Sequence, residues 1–132
     1  MAEQMEIERL KQQILEQLLP IEPYKIILFG SHAYGVPGED SDIDLYVVTK
    51  DLCIPKNWRE KSEIHLKVAR QLQELMLKYP IDLIVHTKRM HEKFVKLNRS
   101  FAKKVLKKGV VLYEQDAHRM VTHNMMCPKS IL

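Results

Sequence analysis

Two cysteines, Cys53 and Cys127, are all that the chain has, and no C-x-x-C occurs. Neither a zinc site nor a dithiol redox motif is signalled. A disulfide between positions so far apart is the weaker expectation; free thiols in a reducing cytosol fit better. His65, His86, His91, His118 and His123 are scattered without ligand spacing, and they read as surface or packing residues. No apolar stretch approaches the length that a membrane span needs, so no membrane association is expected. The opening "MAEQMEIERLKQQ" carries acids and no apolar core, unlike a secretory leader. The expected location is therefore the cytoplasm. Internal repeats and low-complexity tracts are also lacking.

What is present suits one domain with one modest core. The chain has 132 residues, of which 45% are hydrophobic and 29% charged. A single domain over residues 1–132 is expected. Its tail, 115–132, shows no clear period and reads as a flexible end or an interface for a partner or a second copy. The formal net charge is +4. That balance tolerates a polyanionic partner without demanding one.

Residues 3–19 place Ile7, Leu10, Ile14, Leu15, Leu18 and Leu19 at helical spacing, and Pro20 and Pro23 end the helix. "YKIILF", 24–29, predicts a strand. "SHAYG" has room for one helical turn, and "VPGEDS" is a loop by composition. Residues 42–48 alternate, with Asp42, Asp44, Tyr46 and Val48 on one face and Ile43, Leu45 and Val47 on the other. A helix is expected over 57–78, striped by Ile64, Val68, Leu72, Leu75 and Met76. "IDLIVHT", 81–87, predicts a third strand. One or two basic helices follow over 88–108, with Phe94, Leu97, Phe101, Val105 and Leu106 as the apolar positions. Gly109 stands where a helix C-terminal glycine would, and "VVLYE" predicts a fourth strand. The expected fold is α+β, or α/β two-layer: a small mixed sheet flanked by helices.

Within this frame, "ILFGSHAYGVPGEDSDIDLYVV" puts two acids into a segment otherwise built for burial. On a strand, Asp42 and Asp44 point to the same side, with backbones roughly 7 Å apart. Like charges so close repel unless a cation lies between them or one is protonated. A hard divalent cation such as Mg²⁺ takes oxygen ligands of this kind, together with substrate phosphates. A bare D-x-D is more often a strand end in water. Here it follows Gly30-Ser31, where glycine lets backbone approach a ligand and serine adds a hydroxyl donor. Asp82 also begins an apolar strand, and a sheet pairing that strand with 42–48 would bring a third carboxylate to the same place. A turn that grips phosphate and three strand-borne acids make a phosphoryl-transfer site.

These residues resemble a known family. "GSHAYGVPGEDSDIDLYVV" is similar to the G-S-x10-D-x-D signature of the DNA polymerase beta-type nucleotidyltransferases. The chain's shortness and the ending "KKGVVLYE" resemble the minimal nucleotidyltransferase (MNT) branch. The resemblance implies a nucleotidyltransferase palm. It implies that Gly30 and Ser31 hold the β- and γ-phosphates of a nucleoside triphosphate. Asp42 and Asp44 would ligate two Mg²⁺ ions, with Mn²⁺ as an alternative. Asp82 would ligate the catalytic metal and help deprotonate the acceptor hydroxyl. A nucleoside monophosphate, AMP from ATP by expectation, would be transferred and pyrophosphate released. MNT proteins of this size are commonly paired with a HEPN protein that resembles a ribonuclease toxin, and some add AMP to a tyrosine of it. The resemblance therefore favours protein adenylylation by an antitoxin over nucleic-acid synthesis.

The chain departs from the family at two positions. Many members carry Arg or Lys after the G-S, where this one has His32 and Tyr34. A protonated His32 partly replaces such a base, and Tyr34 offers a ring to stack on a nucleobase. Two readings of different class thus stay open: an active adenylyltransferase, and a binding-only antitoxin that neutralises its partner by occlusion. A transferase for small molecules such as aminoglycosides is a third, which would usually want a further acceptor-binding domain.

Overall fold

The computed structural model describes residues 2–30, 42–97 and 99–115. Helix α1 spans Ala2–Leu18. Leu10, Ile14 and Leu18, spaced four apart, turn inward and are almost fully buried. Pro20 sits in a 3-10 turn, Leu19–Ile21, which Glu22 closes in the left-handed conformation, φ 52°. The prolines thus end the helix as the sequence predicts.

Four strands form one sheet in the order β3-β2-β1-β4: β1 Lys25–Phe29, β2 Ile43–Val48, β3 Ile81–His86 and β4 Val110–Glu114. β1 runs antiparallel to β2 and to β4, while β2 and β3 are parallel. The parallel pair needs a long crossover. It is supplied by α2, Trp58–Gln71, and α3, Gln73–Lys78. After β3 come α4, Lys88–Leu97, and α5, Ser100–Lys108. This is the small mixed sheet flanked by helices that the sequence implies.

Alternation along the strands sorts the core into two. Ile26, Leu28, Ile43, Leu45 and Val47 face α1 and α2, and Leu10, Ile14, Ile64 and Val68 pack against them. Ile27, Phe29, Tyr46 and Val48 face the other way, under Phe94 of α4 and Val105 and Leu106 of α5. Burial on both faces explains the apolar character of β1 and β2.

Several expectations needed correction. The helix expected over 57–78 is two helices, broken at Leu72 (φ −99°, ψ 7°). Leu72 is fully buried, and no Gly or Pro marks the bend, so the apolar spacing reads straight through it. Leu97 and Phe101 do not continue the buried stripe of their neighbours; they are 62% and 43% exposed. The break between α4 and α5 shifts the helical phase there. Gly109 does cap α5, but with an extended backbone, φ −74° and ψ 158°. Space requires the glycine: a Cβ would run into the Val105 carbonyl and the Ile27 side chain. Cys53 is disulfide-bonded, against the expectation of a free thiol. Among the described residues no helix is long and apolar enough to cross a membrane.

Candidate functional site

The two sheet faces differ at the end where β2 and β3 begin. Ile43, on one face, is 4% exposed in the core. On the opposite face Asp42 is exposed and Asp44 half-buried. Further along that face lie Tyr46 and Val48, both fully buried. One face of β2 is therefore acidic at its start and apolar beyond, and the aromatic and aliphatic side chains of α4 and α5 cover only the apolar part. That division accounts for two carboxylates within a segment otherwise built for burial.

The parallel pairing of β2 with β3 brings in the third acid. Asp44 is the register partner of Asp82, as Tyr46 is of Ile84. Partners on neighbouring strands point to the same side of a sheet, so Asp82 joins the face of Asp42 and Asp44. The backbone bond from Ile43 N to Pro80 O, 2.8 Å, starts the register that sets this pairing.

Gly30 meets the acids from β1. Phe29 is the cross-strand partner of Asp44, and Gly30 follows it with φ +81°. A Cβ at Gly30 would overlap the Asp44 carboxylate and stand 3.0 Å from its Cγ. Both the backbone conformation and the space therefore demand glycine. Ser31, His32 and Tyr34 lie outside the described residues.

Three carboxylates on one face offer hard oxygen donors, the set that Mg²⁺ takes. Their chemistry and their shared face fit a divalent cation. They do not form a ready cage: among the described residues no group of three or more His, Cys, Asp or Glu side chains is gathered to hold a metal ion.

Directly beyond the acids lies a polar network that the sequence reading missed. The Tyr46 hydroxyl is 2.9 Å from His86 Nδ1 and 2.8 Å from His91 Nδ1. Burial pushes His86 down to about 4, helped by repulsion from a proton on His91 and by the positive charge of Lys61. Burial also lowers His91, helped by Lys25. Burial raises the Tyr46 hydroxyl well above its usual range. All three are neutral near pH 7. A hydroxyl has one proton, so it donates to one imidazole and accepts an N–H from the other. Phe94 stacks on Tyr46 at 5.2 Å between centroids. The network ties β2, β3 and α4 together two residues beyond Asp44. Its only sequence signal was that Tyr46 falls on the face of Asp42 and Asp44.

The family described as Polymerase beta, Nucleotidyltransferase matches residues 8–118. A protein of Methanocaldococcus jannaschii named as a protein adenylyltransferase is 37% identical over 98 residues, covering 67% of this chain and 77% of that protein. Among solved structures, a toxin–antitoxin crystal structure with AMP-PNP superposes with a TM-score of 0.53 at 20% identity, covering 80% of this chain and 73% of that one. A mutant MntA–HpeT toxin–antitoxin structure gives a TM-score of 0.50 at 18% identity, with the same coverage. At such identities the structural likeness is one of fold.

Proposed function

The chain belongs to the polymerase beta nucleotidyltransferase family, a family of transferases, and from that premise we propose that it moves AMP from ATP to a tyrosine hydroxyl of a HEPN-type partner toxin, acting as its antitoxin. The observation that carries the reading is the register of Asp44 with Asp82 beside a glycine that has no room for a side chain. The relative named as a protein adenylyltransferase supports a protein as the acceptor.

In this reading Gly30 and Ser31 grip the triphosphate tail. Gly30 does so by letting backbone come close, and Ser31 by its hydroxyl. His32 and Tyr34 complete the nucleotide contacts. Asp42, Asp44 and Asp82 would hold two Mg²⁺ ions, whose charge offsets that of the triphosphate and favours a deprotonated acceptor oxygen. Asp82 takes the acceptor's proton in this reading. The tyrosine oxygen then bonds to the α-phosphorus as the bond to the bridging oxygen breaks, and pyrophosphate leaves with the electron pair. Most of the catalysis is positioning and charge stabilisation.

The test mixes the protein with ATP, Mg²⁺ and a HEPN-type protein from the same genome, and reads the intact mass of that partner. A gain of one or more AMP units supports transfer, with tyrosine located by peptide mapping. A second reading, neutralisation by binding alone, is favoured by the absence of Arg or Lys at positions 32 and 34. It wins if the partner is inhibited without a mass change and the Asp42→Asn/Asp44→Asn variant still inhibits it.

A further inference from the structure

We propose that the open face of Phe101 is the platform on which the nucleobase of the triphosphate stacks. The inference rests on the nucleotide-transfer reading above and adds to it the residue that holds the base.

Phe101 is a large apolar side chain left 43% exposed at the edge of the covered part of the sheet face that carries the acids. Its orientation is fixed. It meets Phe29 edge-on, with centroids 5.7 Å apart at 88°, and Phe94 at 5.8 Å and 69°. Neither neighbour stacks parallel on it, and 43% of the side chain stays open to solvent. Phe29 is 5% exposed and is the strand partner of Asp44. Partners across a strand pair have Cβ atoms about 5 Å apart. One ring further on, Phe101 lies on the order of 10 Å from the acids, a distance that a ribose and its phosphate bridge.

Charge supplies a second, independent observation. Residues 88–108 hold nine Lys and Arg against one acid, Glu92. Among the described residues Lys93, Lys96, Arg99, Lys103, Lys107 and Lys108 enter no ion pair. The helices that carry the ring are thus strongly positive, next to an acidic sheet end. A triphosphate polyanion is attracted to such a flank. A nucleobase offers the flat π-face that an exposed phenyl ring takes, with little dependence on which base it is. The platform thus recognises nucleoside triphosphates as a class.

Calorimetric titration of the full chain tests this with Mg²⁺ and two probes: a non-hydrolysable ATP analogue, and inorganic tripolyphosphate, which has no base. Phe101→Leu keeps apolar bulk against Phe29 and Phe94 but removes the π-face. It should weaken the analogue by roughly 5- to 100-fold and leave tripolyphosphate unchanged, while Phe101→Tyr restores the affinity. Analogue binding unchanged in Phe101→Leu overturns the platform and leaves the transfer reading standing. If that variant also loses partner inhibition, the ring is a docking contact instead. Equal loss of both probes marks a structural role and likewise overturns the proposal. If the unaltered protein binds neither probe, the transfer reading falls and the platform with it.

Discussion

Asp44 and Asp82 are register partners on adjacent parallel strands, so two carboxylates separated by 38 positions in the chain share one face of the sheet. Nothing in β2 or β3 alone dictates that meeting. It follows from the crossover through α2 and α3, which lays β3 alongside β2 with Ile43 opposite Ile81. A slip of one residue would send Asp82 to the opposite face, among the buried Leu45 and Val47.

The first prediction concerns the cost of that arrangement. Like charges gathered on one face disfavour each other, and a bound cation offsets this. Asp42→Asn/Asp44→Asn should leave the melting temperature in chelator unchanged or raise it, as at sites where function strains the fold. Adding Mg²⁺ with an ATP analogue should stabilise the unaltered protein by about 3 kcal/mol at a hundredfold excess over Kd, and the variant by much less. Thermal scans in both buffers check this. A large drop in chelator would make the acids structural.

Gly30→Ala addresses the other side of the contact. A left-handed backbone costs a residue with a Cβ about 1–2 kcal/mol, before any overlap with Asp44 is counted. The melting temperature should fall on the order of 5 °C, and analogue binding should fall with it as the carboxylate is displaced. Normal binding in a folded Gly30→Ala protein would refute the close approach inferred here.

Asp82→Asn should separate rate from affinity. If Asp82 takes the acceptor's proton, its effect lies in the transition state. Turnover should then fall about 100-fold or more while ATP affinity changes little. Asp42→Asn should damage both. Single-turnover rates alongside calorimetric affinities give the comparison, and equal losses in Asp82→Asn would assign it to ground-state binding.

The alternation of 42–48 was enough to separate the acids from Ile43, Leu45 and Val47, and the prolines marked where α1 and α3 stop. Gly30 was legible because a glycine after an apolar strand is local information. The Tyr46–His86–His91 network was not, since its members lie 40 and 45 positions apart and meet only once β2, β3 and α4 are packed. The exposure of Phe101 was not legible for a related reason. Its apolar character says that it is covered by something, and only the fold shows that the chain itself leaves much of it open.

The buried network yields the last prediction, a pH dependence whose sign can be worked out. An unfolded His86 takes up its proton near 6.5, whereas burial holds the folded one at about 4. Between those values the unfolded chain binds more protons than the native protein. Stability contributed by neutral His86 is therefore fully present above 6.5, falls as pH drops through the window, and levels off below about 4. His91, also lowered by burial, acts in the same direction. Asp and Glu groups titrate in part of this range, so the useful measurement is a difference between proteins. His86→Gln cannot take the proton yet still offers an acceptor to the Tyr46 hydroxyl. Its denaturant midpoint should be equal to or below that of the unaltered protein at pH 7.5. The gap should close, or reverse, by pH 4.5. Tyr46→Phe is the complement. It leaves both imidazoles without their partner and should cost about 1–3 kcal/mol at pH 7.5, because buried polar groups lose a bond that water does not replace. Parallel stability curves for His86→Gln and the unaltered protein from pH 7.5 to 4.5 would show that His86 titrates alike in the folded and unfolded chains, and the buried, neutral network described here would be wrong.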